Sequence, residues 1–156
     1  IRYPRGSPHQ GLQEYQAPVE YGRSEIIRKG KKIAVLGVGS MIPSCMEICK
    51  GLKDDGYDPT FVNARFVKPL DVDLLDELAK DHSLFVTVEE NMKSGGYGEH
   101  VSAYMEACHP EIRVLSAAVW DRFVPQGNVE SLRSRIGLGV EDIRQAIEDS
   151  EELREQ

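Results

Sequence analysis

Ile33-Ala34-Val35-Leu36-Gly37-Val38-Gly39-Ser40 joins an unbroken apolar run to two closely spaced glycines and a small polar residue. Four consecutive apolar side chains present no polar face to water, so the run reads as a strand covered on both sides, as in a parallel sheet. The glycines then give a tight turn, and Ser40 has the side chain of a helix N-cap. Ile42, Cys45, Met46, Cys49 and Leu52 follow at helical spacing, and Gly56 ends the segment.

The same unit recurs downstream. Thr60 to Val67 reads as a second strand, stopped by Pro69. Asp71 caps a helix whose apolar face is Leu74, Leu75 and Leu78, with Leu70 and Leu75 at the two positions of a hydrophobic staple. Leu84 to Val88 is a third strand, running through Glu89-Glu90-Asn91 into the glycine-rich Gly95-Gly96-Tyr97-Gly98. A helix bearing Val101, Tyr104, Met105 and Cys108 follows, then a fourth strand, Ile112 to Leu115. Short helices around Val129 to Ile136 and Val140 to Ile147 complete the pattern. Strands alternating with helices imply right-handed βα crossovers and an α/β fold. The expected architecture is a three-layer α/β/α sandwich with a mainly parallel sheet.

Upstream of this core the pattern weakens. Residues 1–6 read as a strand end entering a turn, and residues 7–30 as a linker with a short hairpin built from Val19–Tyr21 and Glu25–Ile27. The core domain is placed at 31–150, and 151–156 as a frayed, charged tail. Because the chain opens on Ile1, it is expected to be a piece of a longer polypeptide.

Composition narrows the function. Hydrophobic residues at 40% and charged residues at 29% match a folded domain with a core. A net charge of −7 argues against nucleic acid or an anionic membrane surface as partner. No apolar run reaches the length of a membrane span. Three cysteines with no CxxC pair fit a reducing, cytoplasmic setting.

Two glycine clusters and one acidic pair are the candidate sites. Gly37-Val38-Gly39 precedes a helix whose free N–H groups suit an anion. Position 42 is Ile, so the dinucleotide fingerprint is missing, and no Lys-Ser or Lys-Thr makes a phosphate loop. A plain tight turn is the preferred reading. Gly95, Gly96 and Gly98 let backbone approach a ligand, a neighbouring subunit or simply the sheet. Glu89 and Glu90 end a strand facing opposite ways, so one of them is expected to meet Arg65 on the neighbouring strand. Cys45, Cys49 and Cys108 are read as core residues, and His9, His82, His100 and His109 form no ligand spacing.

Taken in order, six stretches resemble the C-terminal third of the 1-deoxy-D-xylulose-5-phosphate synthases, a thiamine-diphosphate-dependent, transketolase-like family. They are Ile1 to Gly6 (IRYPRG), Ala34 to Ser40, Asn63 to Asp71 (NARFVKPLD), Val86 to Asn91 (VTVEEN), Gly95 to Gly98 and Asp121 to Gly127 (DRFVPQG). The resemblance implies a three-domain parent enzyme. Residues 1–6 would then end its pyrimidine-binding domain, and residues 31–150 would be its transketolase-like C-terminal domain. That parent would condense pyruvate with D-glyceraldehyde 3-phosphate, releasing CO2, on thiamine diphosphate and Mg2+ held by the upstream domains; this stretch would bind neither. Arg5 matches the family's ligand for the substrate phosphate, a task that suits a forked guanidinium. No catalytic residue carries over. The resemblance also implies upstream domains of the same enzyme as partners and a homodimeric parent; Arg65, Glu89, Glu90, Gly95, Gly96 and Gly98, expected at the carboxyl edge of the sheet, are the candidates for a ligand or subunit surface there.

Two other readings compete. The beta subunit of a 2-oxo acid dehydrogenase shares the Arg-x-x-x-Pro-x-Asp pattern, here Arg65 to Asp71, but lacks the IRYPRG opening. A free-standing α/β module binding a nucleotide or a protein is the other.

Overall fold

The computed structural model describes residues 11–15 and 17–150. Five strands form one sheet in the order β1-β3-β2-β4-β5: β1 Glu25–Arg28, β2 Lys32–Gly37, β3 Thr60–Asn63, β4 His82–Met92 and β5 Arg113–Val119. Strands β3, β2, β4 and β5 run parallel, and β1 alone is antiparallel, on β3. The helices are α1 Ile42–Asp54, α2 Val72–Ala79, α3 Tyr97–Cys108, α4 Val129–Arg135 and α5 Val140–Glu148.

Alternation along the strands divides the core into two layers. Ile33 and Val35 of β2 and Leu84, Val86 and Val88 of β4 point to one face. There they meet Cys45, Ile48, Cys49 and Leu52 of α1 and Ile143 and Ile147 of α5. Ala34, Leu36 and Phe85 point to the other, under Leu75 and Leu78 of α2 and Val101 and Met105 of α3. The three-layer α/β/α sandwich is therefore present. Each fully buried leucine, isoleucine or phenylalanine contributes on the order of 1.5–3 kcal/mol, so the two layers are the main stabilising element.

Asp71 caps α2 as expected, accepting from the Leu74 N–H, and also accepts from the Ser24 N–H at 2.7 Å and from Arg23 at 2.9 Å. A second tie joins α2 to α3. The Tyr104 hydroxyl donates to Asp76 Oδ1 at 2.8 Å, and His109 Nε2 lies 2.8 Å from the same oxygen. The His109 contact, then the tyrosine, hold the Asp76 carboxyl below its usual range. Cys45 and Cys49 are core residues, and burial drives both thiols up, Cys49 to about 12.

Several expectations need correction. No hairpin forms: β1 pairs with β3, Ile26 facing Val62, because a short strand gains more from the open edge of a large sheet than from a local partner. The second strand stops at Asn63 rather than Val67, where the Ala64 N–H turns to the Gly37 carbonyl at 2.9 Å. Ser40 does not cap α1. A single 3-10 turn, Gly39–Met41, intervenes, and the Ser40 hydroxyl is drawn to Glu90. Cys108 is exposed, as the last residue of α3 beyond the packed face of that helix.

Candidate functional site

In an open α/β sheet the carboxyl ends of the strands are the default place for a ligand. Here that edge gathers the 3-10 turn after β2, the Glu89–Asn91 end of β4, the Lys93–Gly96 loop and the stretch after β5. Glu89 is wholly buried beneath the start of α3. Its Oε2 accepts from the Tyr97 N–H at 2.9 Å and from Asn91 Nδ2 at 2.7 Å, and its Oε1 accepts from the Gly98 N–H at 2.8 Å. All three partners are donors, which suits an ionised carboxylate, an acceptor at both oxygens. A helix N-terminus carries unpaired N–H groups and a partial positive charge. At α3 the chain's own carboxylate occupies that position.

The glycines make this closure sterically feasible. Gly95 has φ +73, in the left-handed region, and its N–H donates to Glu99. A Cβ on Gly96 would lie 2.5 Å from the Met92 carbonyl oxygen and 2.7 Å from Glu89 Oε1. A Cβ on Gly98 would lie 2.1 Å from Ser116 Oγ and 2.5 Å from Thr87 Oγ1. Thr87 and Ser116 face each other across β4 and β5. Both hydroxyls are buried with no hydrogen-bond partner among the described residues. The loop is thus a close βα packing device rather than an open cradle, and burial raises the pKa of the Tyr97 phenol beside it.

Glu90, on the opposite face of the strand, is half-buried. Its Oε1 accepts from Arg133 Nε at 2.7 Å, and its Oε2 takes the Ser40 hydroxyl. Glu90 therefore latches α4 and the turn after β2 onto the sheet end.

Arg65 meets neither glutamate. Its guanidinium pairs with Glu25 of β1 and donates to the carbonyls of Ala17 and Pro18, each at 3.2 Å. The physical reason is the strand order: β2 lies between β3 and β4, so a residue following β3 reaches the outer strand β1 more easily than β4. Arg5 lies outside the described residues. Of the expected set, Glu89, Gly95, Gly96 and Gly98 are brought together, Glu90 stands beside them, and Arg65 is elsewhere. Arg133 was missed as a member of this edge, and no local signal marks it; Ser40 was expected there as a helix cap and instead meets Glu90.

Beside the glycine loop opens a cleft of about 380 Å³, lined by Lys93, Ser94, Glu99, Ser102, Ser116 and Trp120. The Lys93 ammonium sits over the Trp120 ring, 4.4 Å from its centre. Among the described residues no group of three or more His, Cys, Asp or Glu could hold a metal ion. With the Tyr97 and Gly98 N–H groups taken by Glu89, the α3 N-terminus is not open to a diphosphate. No helix of the described chain is long and apolar enough to cross a membrane.

Comparison with known proteins bears on the fold and the family of the chain. The chain is 38% identical to the 1-deoxy-D-xylulose-5-phosphate synthase of Lachnoclostridium phytofermentans over 144 residues, 92% of this chain and 23% of the relative. It is 40% identical to the synthase of Nitrosomonas europaea over 150 residues, 96% of this chain and 24% of that protein. The chain thus spans about a quarter of the length of these relatives. Among solved structures, a split-gene transketolase described as an inactive beta4 tetramer superposes with a TM-score of 0.79 at 29% identity, covering 87% of this chain and 44% of that one. The model of the transketolase C-terminal domain matches residues 22–143, and the chain belongs to that family.

Proposed function

We propose that this domain is the C-terminal part of a thiamine-diphosphate-dependent, cytoplasmic enzyme that condenses pyruvate with D-glyceraldehyde 3-phosphate to 1-deoxy-D-xylulose 5-phosphate and CO2. Within that enzyme its role is architectural: it supports the upstream domains and the assembly of a homodimer, and contributes no group to the chemistry. The reading of the parent draws on the similarity to the synthases and on the six ordered motifs. The architectural role draws on one observation above all. The carboxyl edge of the sheet is closed by Glu89 on the α3 N-terminus, so the polar groups best placed for a ligand are already engaged with one another. Thiamine diphosphate supplies the carbanion chemistry in such enzymes, and on this reading the upstream domains hold it together with Mg2+. Arg5 is assigned to the phosphate of glyceraldehyde 3-phosphate at the border with those domains.

A chimera tests the proposal. The C-terminal domain of the Lachnoclostridium phytofermentans synthase is replaced by this chain, and CO2 release from pyruvate is followed with glyceraldehyde 3-phosphate, thiamine diphosphate and Mg2+. The chimera should turn over and this chain alone should not. A folded chimera without activity, or turnover by this chain alone, would refute the assignment. In the chimera, Arg5→Ala should raise the KM for glyceraldehyde 3-phosphate roughly ten- to a hundredfold, as expected for one lost charge-assisted contact. The KM for pyruvate, which has no phosphate, should barely move.

A further inference from the structure

The connections at the two ends of the sheet differ in what they show to water. At the amino end they are charged: Lys29, Lys31, Asp55, Asp58, Lys80 and Asp81 are all exposed there. Among the described residues, every exposed large apolar side chain lies at the carboxyl end. Val19 and Tyr21 precede β1, which starts beside the last residue of β3, Glu25 opposite Asn63. Val72 opens α2 next to Asp71, whose carboxylate holds Arg23 and the Ser24 N–H just ahead of β1. Met92 ends β4. Trp120, Phe123 and Val124 follow β5, and Phe123 is fully exposed. Val129 opens α4, whose Arg133 is tied to Glu90 near the end of β4. Strands about 4.8 Å apart put roughly 20 Å between β1 and β5, so these groups are spread across a face and not gathered in one pocket. Single exposed apolar residues are ordinary, but a one-sided collection of them marks an interaction surface.

We infer that this carboxyl edge is a docking face for the domain that precedes this chain in its parent enzyme, with Tyr21, Trp120 and Phe123 as its apolar anchors. Two observations choose the occupant. The face is wide, and its central carboxylates, Glu89 and Glu90, are already engaged within the domain. That suits the apolar surface of a folded partner better than a small polar ligand. The segment leading into the fold is also fastened at this edge. Arg65 donates to the carbonyls of Ala17 and Pro18, each at 3.2 Å, so a domain joined ahead of them stays tethered nearby. A short flexible tether gives an effective concentration in the millimolar range, whereas a second copy of this chain must be gathered from solution at the cost of its free motion. Two of the anchors are held in place before any partner arrives. Tyr21 rests edge-on against Phe66, ring centres 5.6 Å apart, and Trp120 lies under the Lys93 ammonium. Aromatic anchors that are ordered in advance lose less freedom on docking. The face so assigned rests on the reading of this chain as the C-terminal part of a larger enzyme, but not on which reaction that enzyme performs.

Amide hydrogen exchange, compared between this chain alone and its chimera with the Lachnoclostridium phytofermentans synthase, tests the assignment. Peptides covering residues 19–23, 92–96 and 120–130 should exchange roughly tenfold or more slowly in the chimera, while those covering 54–58 and 79–82 at the amino end should be unchanged. Phe123→Asp alters a fully exposed side chain. It should leave the thermal melt of the isolated chain where it was and remove the added protection in the chimera. A chimera that exchanges as the isolated chain does, or that is protected equally at both ends, overturns the inference. So does an isolated chain that is already protected at this edge and sediments as a dimer that Phe123→Asp dissolves, because the occupant is then a second copy. Protection without CO2 release keeps the docking face and refutes the synthase reading; CO2 release without protection does the reverse.

Discussion

The two ends of the sheet are closed by different chemistry. At the carboxyl end a glutamate, Glu89, is buried among donors: the Tyr97 and Gly98 N–H groups and the Asn91 amide. At the amino end a histidine, His82, does the equivalent work. Its Nδ1 lies 2.8 Å from the Leu78 carbonyl, so Nδ1 must carry the proton and donate. Its Nε2, 2.7 Å from Thr60 Oγ1, is then the acceptor, and Thr60 in turn accepts from the Gly30 N–H at 2.9 Å. One end therefore rests on a charge compensated by backbone dipoles. The other rests on a neutral ring that works only while neutral. A buried charge is tolerated where several donors converge on it. Where the available partners are one carbonyl and one hydroxyl, an uncharged amphoteric ring fits both.

The comparison predicts that damage at the carboxyl end costs more. Glu89→Ala strands two buried N–H groups at the start of α3, each costing about 1–3 kcal/mol when left unpaired. The variant should lose roughly 4 kcal/mol in urea unfolding. Glu89→Gln should recover only part of that, because an amide offers a single acceptor oxygen and sets its N–H2 against other donors. If Glu89→Gln unfolds at the same urea concentration as the wild type, the charge is irrelevant and the contrast between the two ends falls.

Gly98→Ala attacks the same end by volume alone. The added methyl would meet Ser116 Oγ and Thr87 Oγ1, short side chains fixed on the two strands beneath, and neither can swing far aside. The helix must rise, stretching its bonds to Glu89. A loss of about 3 kcal/mol is expected, at the upper end for overpacking. Gly95→Ala meets no neighbour and suffers only from its positive φ, so it should cost about 1 kcal/mol. Equal losses in the two variants would show that backbone conformation, and not close packing, makes this loop glycine-rich.

Much of this was legible in the sequence. Unbroken apolar runs at Ile33–Leu36 and Leu84–Val88 announce strands covered on both faces. Asp71 announces its helix, and adjacent Glu89 and Glu90 must point apart. What stayed hidden was the identity of partners far along the chain. Nothing near Arg65 says that Glu25, forty residues earlier, will be brought beside it, because that depends on β1 joining the sheet at β3. Nothing in Gly95 to Gly98 says that the anion it receives is Glu89 rather than a ligand. Backbone N–H groups at a helix start favour any carboxylate or phosphate, and only the fold reveals which one is supplied. Ser40 was read as a cap for the same reason: its local preference was outweighed by Glu90, fifty residues away.

The smallest effect concerns pH and separates the two ends most directly. Burial holds His82 below its ordinary pKa of 6.5, against weaker opposing effects of the Leu78 carbonyl and Asp81. The folded protein thus resists protonating this ring, while the unfolded chain accepts the proton freely. The stability associated with the neutral ring is complete above about pH 6.5 and is lost as pH falls through that value toward the lower folded-state pKa. Protonation would also turn Nε2 into a donor and break its acceptance from Thr60. His82→Gln keeps a donor and an acceptor on one side chain but does not titrate. Urea midpoints measured from pH 7.5 down to pH 5 should fall for the wild type and stay nearly level for His82→Gln. Asp76, whose carboxyl is held low by His109, adds its own loss only as pH falls below its ordinary 3.8, outside that range. A wild-type slope that survives His82→Gln would mean that the amino end of the sheet does not sense pH through this ring.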